Sequence, residues 1–252
     1  MAEHIVKVRD LRKSYGDMVA VDGISFDVQK GEIFGILGPN GAGKTTTLEM
    51  IETMRDIDSG TITVDGIDVS KRPRDIKYII GVQPQTASFQ DKQKLPEIIE
   101  MFAAAYGERV DPSEFLRDAN LLDHADNYVE QLSGGQRQRL SIAAALVHSP
   151  KVFFLDEPTT GLDPQARRNL WELIQKVRDR GVTVILTTHY LEEAEMLCDR
   201  VAIMDNGKII ALDTPKNLIR QLLKRGFKKK QVVEQANLED VFIDLTGKAL
   251  RD

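Results

Sequence analysis

The sequence predicts an α/β fold, and three observations carry that prediction. Short apolar runs rich in β-branched and aromatic residues recur at Ile33–Leu37, Lys151–Leu155 and Val182–Thr187, each the length of a buried strand. Other segments space their apolar residues as a helix does, such as Ala166, Leu170, Leu173, Ile174 and Val177. Between the first strand and the helical segment Thr46–Met54 lies Gly38-Pro39-Asn40-Gly41-Ala42-Gly43-Lys44-Thr45, which fits G-x-x-x-x-G-K-[ST].

Taken in order, Ile5–Leu11 and Val19–Val28 read as strands, with Ser14–Asp17 as the turn between them. Thr61–Val64 and Ile67–Val69 flank Asp65-Gly66 and have hairpin chemistry. Tyr78–Val82 reads as a short apolar strand ending at Gln83-Pro84-Gln85. The texture then turns helical. Pro96 opens a helix through Ile98, Ile99, Phe102, Ala103 and Tyr106, and Pro112 opens another through Phe115, Leu116 and Ala119. Ser133 caps a helix through Leu140, Ala143, Ala144 and Val147. Asp163-Pro164 supplies the cap and first residue of the next helix. Val201–Asp205, Asn206-Gly207 and Lys208–Leu212 give the clearest hairpin, and Pro215–Leu223 reads as a final helix before the basic run Lys224–Lys230, which reads as a solvated linker, with a contact for lipid headgroups or nucleic acid as the alternative.

The chain has 252 residues, 42% hydrophobic and 29% charged, ample for a sizeable core. Lys plus Arg number 34 against 39 Asp plus Glu, a net charge of −5, so no nucleic-acid partner is expected. The single Cys198 excludes an internal disulfide, and its apolar surroundings predict a buried, inert thiol. The start, Met1–Lys7, lacks the apolar core of a leader segment, and no uncharged apolar stretch approaches the ~18 residues of a membrane span. Membrane association is therefore expected only through a partner.

The glycine-rich loop has a definite physical content. Gly38, Gly41 and Gly43 let the backbone bring its N–H groups to an anion, and the helix starting near Lys44 adds its positive end. Lys44 is expected to reach the β- and γ-phosphates of a nucleotide, with Thr45 a magnesium ligand. The strand Lys151–Leu155 runs into Asp156-Glu157; beside such a loop, Asp156 stands near the metal and Glu157 can polarise a water. Leu132-Ser133-Gly134-Gly135-Gln136 makes a second helix start, whose two glycines are expected to leave its amides bare for phosphate.

With these motifs in hand, the chain resembles the nucleotide-binding subunit of ATP-binding-cassette transporters over nearly its whole length. Gly38–Thr45 is similar to the family's Walker A motif, Leu132–Gln136 to its signature, and Val152–Glu157 to Walker B with the catalytic glutamate. Gly161-Leu162-Asp163 resembles the D-loop and His189 the switch histidine. Gln85, after Pro84, is similar to the Q-loop glutamine, with Gln83 the competing candidate; Tyr15 resembles the aromatic that stacks on adenine.

The resemblance implies a P-loop NTPase (RecA-like) mixed-sheet core over about 1–86 and 150–220, including a small antiparallel β region. It implies an inserted helical signature subdomain over 87–149 and a C-terminal linker and helix over 221–252. It implies ATP and Mg²⁺. The catalytic set is Lys44, Gln85, Glu157 and His189, and the metal set is Thr45, Gln85 and Asp156. Tyr15, Gly38, Pro39, Asn40, Gly41, Ala42, Gly43, Lys44, Thr45 and Thr46 would contact nucleotide on one side. Ser133, Gly135 and Gln136 would close the site of a second, head-to-tail subunit. A separate membrane permease at the cytoplasmic face is the further implied partner. Thr188–Glu195 and the tail Leu238–Gly247 are similar to subunits of drug, antibiotic or lipid exporters, which favours export over an importer-type or a non-transport cassette. Asp91–Pro96 departs from the more apolar entry common in such exporters, at the segment where the permease would dock, which leaves the partner's identity open.

Overall fold

Ten strands and eight α-helices are seen in a computed structural model that describes residues 3–83 and 89–227. Two long strands, β1 (His4–Tyr15) and β2 (Met18–Gln29), precede the buried β3 (Ile33–Leu37). Then come α1 (Lys44–Ile51), β4 (Ser59–Val64), β5 (Ile67–Asp68), α2 (Pro73–Ile79) and β6 (Ile80–Gln83). Three helices follow, α3 (Leu95–Ala105), α4 (Pro112–Asp118) and α5 (Gly134–Ala145). The chain re-enters the sheet at β7 (Val152–Asp156) and continues with α6 (Pro164–Asp179), β8 (Thr183–Thr188) and α7 (Leu191–Leu197). The hairpin β9 (Arg200–Asp205) and β10 (Lys208–Asp213) leads to α8 (Pro215–Lys224).

The strands form two sheets. A six-stranded mixed sheet has the order β10-β9-β3-β8-β7-β6, parallel except for β10, and a four-stranded antiparallel sheet has the order β2-β1-β4-β5. The parallel centre is covered on both faces, so β3 and β7 are buried at every position and read as continuous apolar runs. The two-residue period of a strand divides the core. Phe153, Leu155, Val184 and Leu186 face α3 to α7 in one apolar cluster. Val152, Phe154 and Ile185 face the antiparallel sheet and α1 in the other. Each fully buried aromatic or aliphatic chain contributes about 1.5–3 kcal/mol.

Local chemistry sets the element ends. Asp163 Oδ1 accepts from Ala166 N at 2.8 Å, and Asp111 accepts from Ser113 N at 2.9 Å, each just before a helix-opening proline. The strand expected over Tyr78–Val82 is displaced: Tyr78 and Ile79 close α2, and pairing begins at Ile80. The helix wins because Pro73 starts it, Asp75 and Lys77 complement its dipole, and only Ile76 needs burial. The turn expected over Ser14–Asp17 is shorter. Ser14 and Tyr15 still pair with Val19 and Met18, and Gly16, at φ 57°, makes the reversal with Asp17.

Residues to Leu218 form one compact unit, and a second unit begins at Ile219. Among the described residues no helix is long and apolar enough to cross a membrane. The expected tail helix at Leu238–Gly247 and the candidate Gln85 lie outside the described residues.

Candidate active site

The C-terminal ends of β3, β7 and β8 lie side by side in the sheet, and the chemistry gathers where they stop. From β3 the chain enters the Gly38–Gly43 loop, where Gly38 is required by contact and Gly43 by contact and φ together. A side chain at Gly38 would stand 2.2 Å from the Met204 carbonyl oxygen. Gly43 caps α1 at φ 99°, and a side chain there would stand 2.3 Å from the Ala20 carbonyl. Pro39, Asn40 and Gly41 are exposed, Ala42 is buried, and Thr46 is half-buried in the first turn of α1.

Lys44 is buried, and its ammonium donates to the carbonyls of Gly38 (3.0 Å) and Pro39 (3.1 Å). It also stands 3.3 Å from Glu157 Oε1. Thr45 Oγ1 lies 3.1 and 3.2 Å from the two oxygens of Asp156, which also accepts a short bond from the Thr187 hydroxyl. Thr187 holds the next residue too, since Glu157 N donates to its hydroxyl (3.0 Å) and its carbonyl (3.2 Å). Glu157 sits at φ 47°, a left-handed conformation that costs a non-glycine residue about 1–3 kcal/mol. That turn swings its carboxylate off the strand toward Lys44. His189 Nδ1 lies 3.1 Å from Glu157 Oε2, and Thr160 Oγ1 donates to the same oxygen at 3.3 Å.

Burial alone would raise the Glu157 carboxyl, but the hydrogen bonds from His189 and Lys44 outweigh it and hold the group below the usual carboxylate range. Glu52, buried at the end of α1, goes the other way. Desolvation, with the charges of Asp156 and Glu49, pushes it up to about 8.

Tyr15, at the end of β1, is partly exposed, with the Arg55 guanidinium 5.2 Å from its ring centroid and the Lys13 ammonium at 5.8 Å. The expected role for Gln85 lies outside the described residues. Its competitor Gln83 is buried at the end of β6.

Ser133, Gly135 and Gln136 are not part of this cluster. They begin α5, where Gln136 N donates to Ser133 Oγ (3.3 Å) and Ser133 N to Gln136 Oε1 (2.8 Å) in a reciprocal cap. Gln136 Nε2 lies 2.9 Å from His124 Nε2. Among the described residues none of these bonds reaches Lys44, Thr45, Asp156, Glu157 or His189. Of the two glycines at this helix start, Gly135 is the more closely packed. It is buried, and a side chain there would stand 2.9 Å from Ala166 Cβ, so its smallness admits α6; Gly134 is open.

Sequence reasoning missed Thr187 and Gln138. Thr187 is one more β-branched residue in a buried strand, and nothing in the sequence marks its hydroxyl as the link between Asp156 and Glu157. Gln138 Nε2 donates to the Pro158 carbonyl at 2.9 Å, tying α5 to the turn after Glu157. That contact spans 20 residues of sequence and leaves no local pattern.

A family profile described as ABC transporter matches residues 21–160. The Nod factor export ATP-binding protein I of Burkholderia orbicola (strain AU 1054) is 43% identical over 219 residues, 85% of this chain and 72% of the relative. The linearmycin resistance ATP-binding protein of Bacillus subtilis (strain 168) is 40% identical over 223 residues, 86% of this chain and 72% of the relative. Among solved structures, the ADP conformation of an ATP-binding cassette of an ABC transporter superposes with a TM-score of 0.80 at 26% identity, covering 88% of this chain and 95% of the other. The dimeric post-hydrolysis state of an ATP-binding cassette bound to ADP and Pi gives 0.73 at 25% identity, covering 83% and 98%.

Proposed function

The chain belongs to the ATP-binding-cassette transporter family and is an ATP-binding, ATP-hydrolysing subunit, and from that premise we propose that it acts as half of a dimer that drives export through a separate membrane permease. The observation that carries the proposal is the division of the chemistry. Lys44, Thr45, Asp156, Glu157 and His189 converge at one sheet edge, while the Ser133 helix start shares no bond with them. A second copy, turned head to tail, supplies its own Ser133, Gly135 and Gln136 to the nucleotide on this copy's loop. The dimeric relative bound to ADP and Pi supports that arrangement. In this reading residues 87–149 act as the lobe that presents the signature, against the core of 1–86 and 150–220.

Thr45 and Asp156 fit a magnesium ion by donor chemistry, a hydroxyl and a carboxylate facing each other at hydrogen-bond distance. Among the described residues no group of three or more His, Cys, Asp or Glu is placed to hold a metal unaided, which suits an ion completed by phosphate oxygens and water. Bound there, it neutralises charge on the transferring phosphates.

Lys44 exchanges its loop carbonyls and Glu157 for phosphate oxygens. Glu157 then loses a cation that held it ionised, so its affinity for a proton rises as it polarises the attacking water. His189 moves from Glu157 to the γ-phosphate, and Tyr15 stacks on the base. Closure buries the γ-phosphate against partner amides, where electrostatic stabilisation is strongest, and hydrolysis releases the partner. Export rather than import follows the two relatives, named for Nod factor export and for linearmycin resistance.

The test is light scattering on Glu157→Gln. The variant is expected to be monomeric alone and dimeric in saturating ATP, with hydrolysis nearly abolished. A protein that stays monomeric in ATP overturns the dimer reading.

A further inference from the structure

At the other end of the parallel strands lies a cleft of about 440 Å³, within the ~300–1,000 Å³ typical of small-ligand sites. It is bounded by the turns that enter β7 (Ser149–Lys151) and β8 (Gly181, Val182), by Lys30 before β3, and by faces of α4, α5 and α6. β7 is five residues long, about 17 Å at ~3.3 Å per residue, so the cleft is separated from the phosphate loop by the length of the parallel strands.

Its floor is apolar, formed by Ala119, Leu146, Leu173 and Val177. The rim is cationic. Lys30, Lys151, Lys176 and Arg180 line it against only Glu114 and Asp118, a local excess of positive charge in a chain whose net charge is −5. Three of these cations are already matched. Lys30 pairs with Glu3 at 3.3 Å, Lys151 with Asp65, and Arg180 with Asp118 through two bonds of 2.6 Å. The Lys176 ammonium has no hydrogen-bond or ion-pair partner among the described residues. An apolar slot with one uncommitted ammonium at its mouth is complementary to a molecule with an apolar body and a single negative end.

We propose that this cleft binds a single-chain amphiphilic anion, a monocarboxylate of fatty-acid type, with its chain over Leu173 and Val177 and its carboxylate on Lys176. The site is independent of the nucleotide site and of the dimer reading. Its walls come from α4 and α6, already bridged by Asp118 and Arg180, so an occupant braces the helices between β6 and β7 against the sheet.

The test is calorimetric titration of the full chain with decanoate below its micelle concentration, with decyltrimethylammonium as the cationic control, each with and without saturating MgATP. Decanoate is expected to bind with one site per chain, the cation not at all, and MgATP to leave decanoate binding intact. Lys176→Glu, a surface change that leaves the core untouched, is expected to weaken binding about tenfold, and Lys176→Arg to retain it. Absence of decanoate binding, equal binding of the cation, or indifference to Lys176→Glu overturns the proposal. Displacement by MgATP also overturns it, since the carboxylate would then occupy the phosphate loop.

Discussion

The ammonium of buried Lys44 and the carboxylate of partly buried Glu157 stand 3.3 Å apart, so the group proposed to hold phosphate and the group proposed to direct water are paired with each other. The pair leaves Lys44 satisfied without nucleotide, together with the Gly38 and Pro39 carbonyls. Binding therefore exchanges one set of charge-assisted contacts for a stronger one.

Lys44→Ala is expected to weaken ATP binding by at least ~1.5–3 kcal/mol, the range for hydrogen bonds to charged groups, or roughly ten- to more than a hundredfold. A fluorescent ATP analogue measures it directly. Nearly unchanged affinity would remove the phosphate role from this loop.

Gly35, in the middle of β3, has no room for a methyl group: its Cβ would stand 2.6 Å from Cys198 Sγ and 3.2 Å from Val201 Cγ1. Gly35→Ala is expected to cost about 1–3 kcal/mol by overpacking, read as a lowered urea midpoint. Adding Cys198→Ala removes the sulfur that blocks the methyl, and the double variant should recover more than half of that loss. Independent, additive losses would show that the sulfur is not the obstacle.

Glu193, on α7, is fully buried and accepts from Trp171 Nε1 at 3.1 Å. Desolvation raises its carboxyl, only partly offset by the Thr188 and Thr159 hydroxyls and Trp171. The sign follows from linkage. The folded state holds the proton more tightly than the unfolded chain, so the contribution is fully present below the unfolded pKa of about 4.3 and is lost as pH rises through the folded value. Glu193→Gln, a neutral isostere, should flatten the fall in urea midpoint above about pH 5. An unchanged slope would show that another group carries it.

The sequence marked the parallel core well because a strand buried on both faces has to be apolar at every position, as Phe153 and Phe154 are. It marked Lys44, Thr45, Asp156 and Glu157 because the roles proposed for them demand fixed residue types next to a strand end. It failed where the deciding partner is remote. Tyr78 and Ile79 look like strand residues until Pro73 and Asp75 claim them for α2. Nothing local shows that Gly135 has to be small until Ala166 of α6 is packed against it. The link from Gln138 to Pro158 and the grip of Thr187 on two successive acids exist only once the chain is folded.

The most direct measurement of the divided site is complementation between two inactive variants. Lys44→Ala keeps an intact Ser133 helix start, and Ser133→Arg keeps an intact phosphate loop. Each alone should hydrolyse ATP at background. Mixed in equal amounts, they should recover up to roughly a quarter of wild-type ATPase activity, since half the dimers are mixed and each has one complete site. A mixture that stays at background, with both variants folded, would contradict a site shared between two chains.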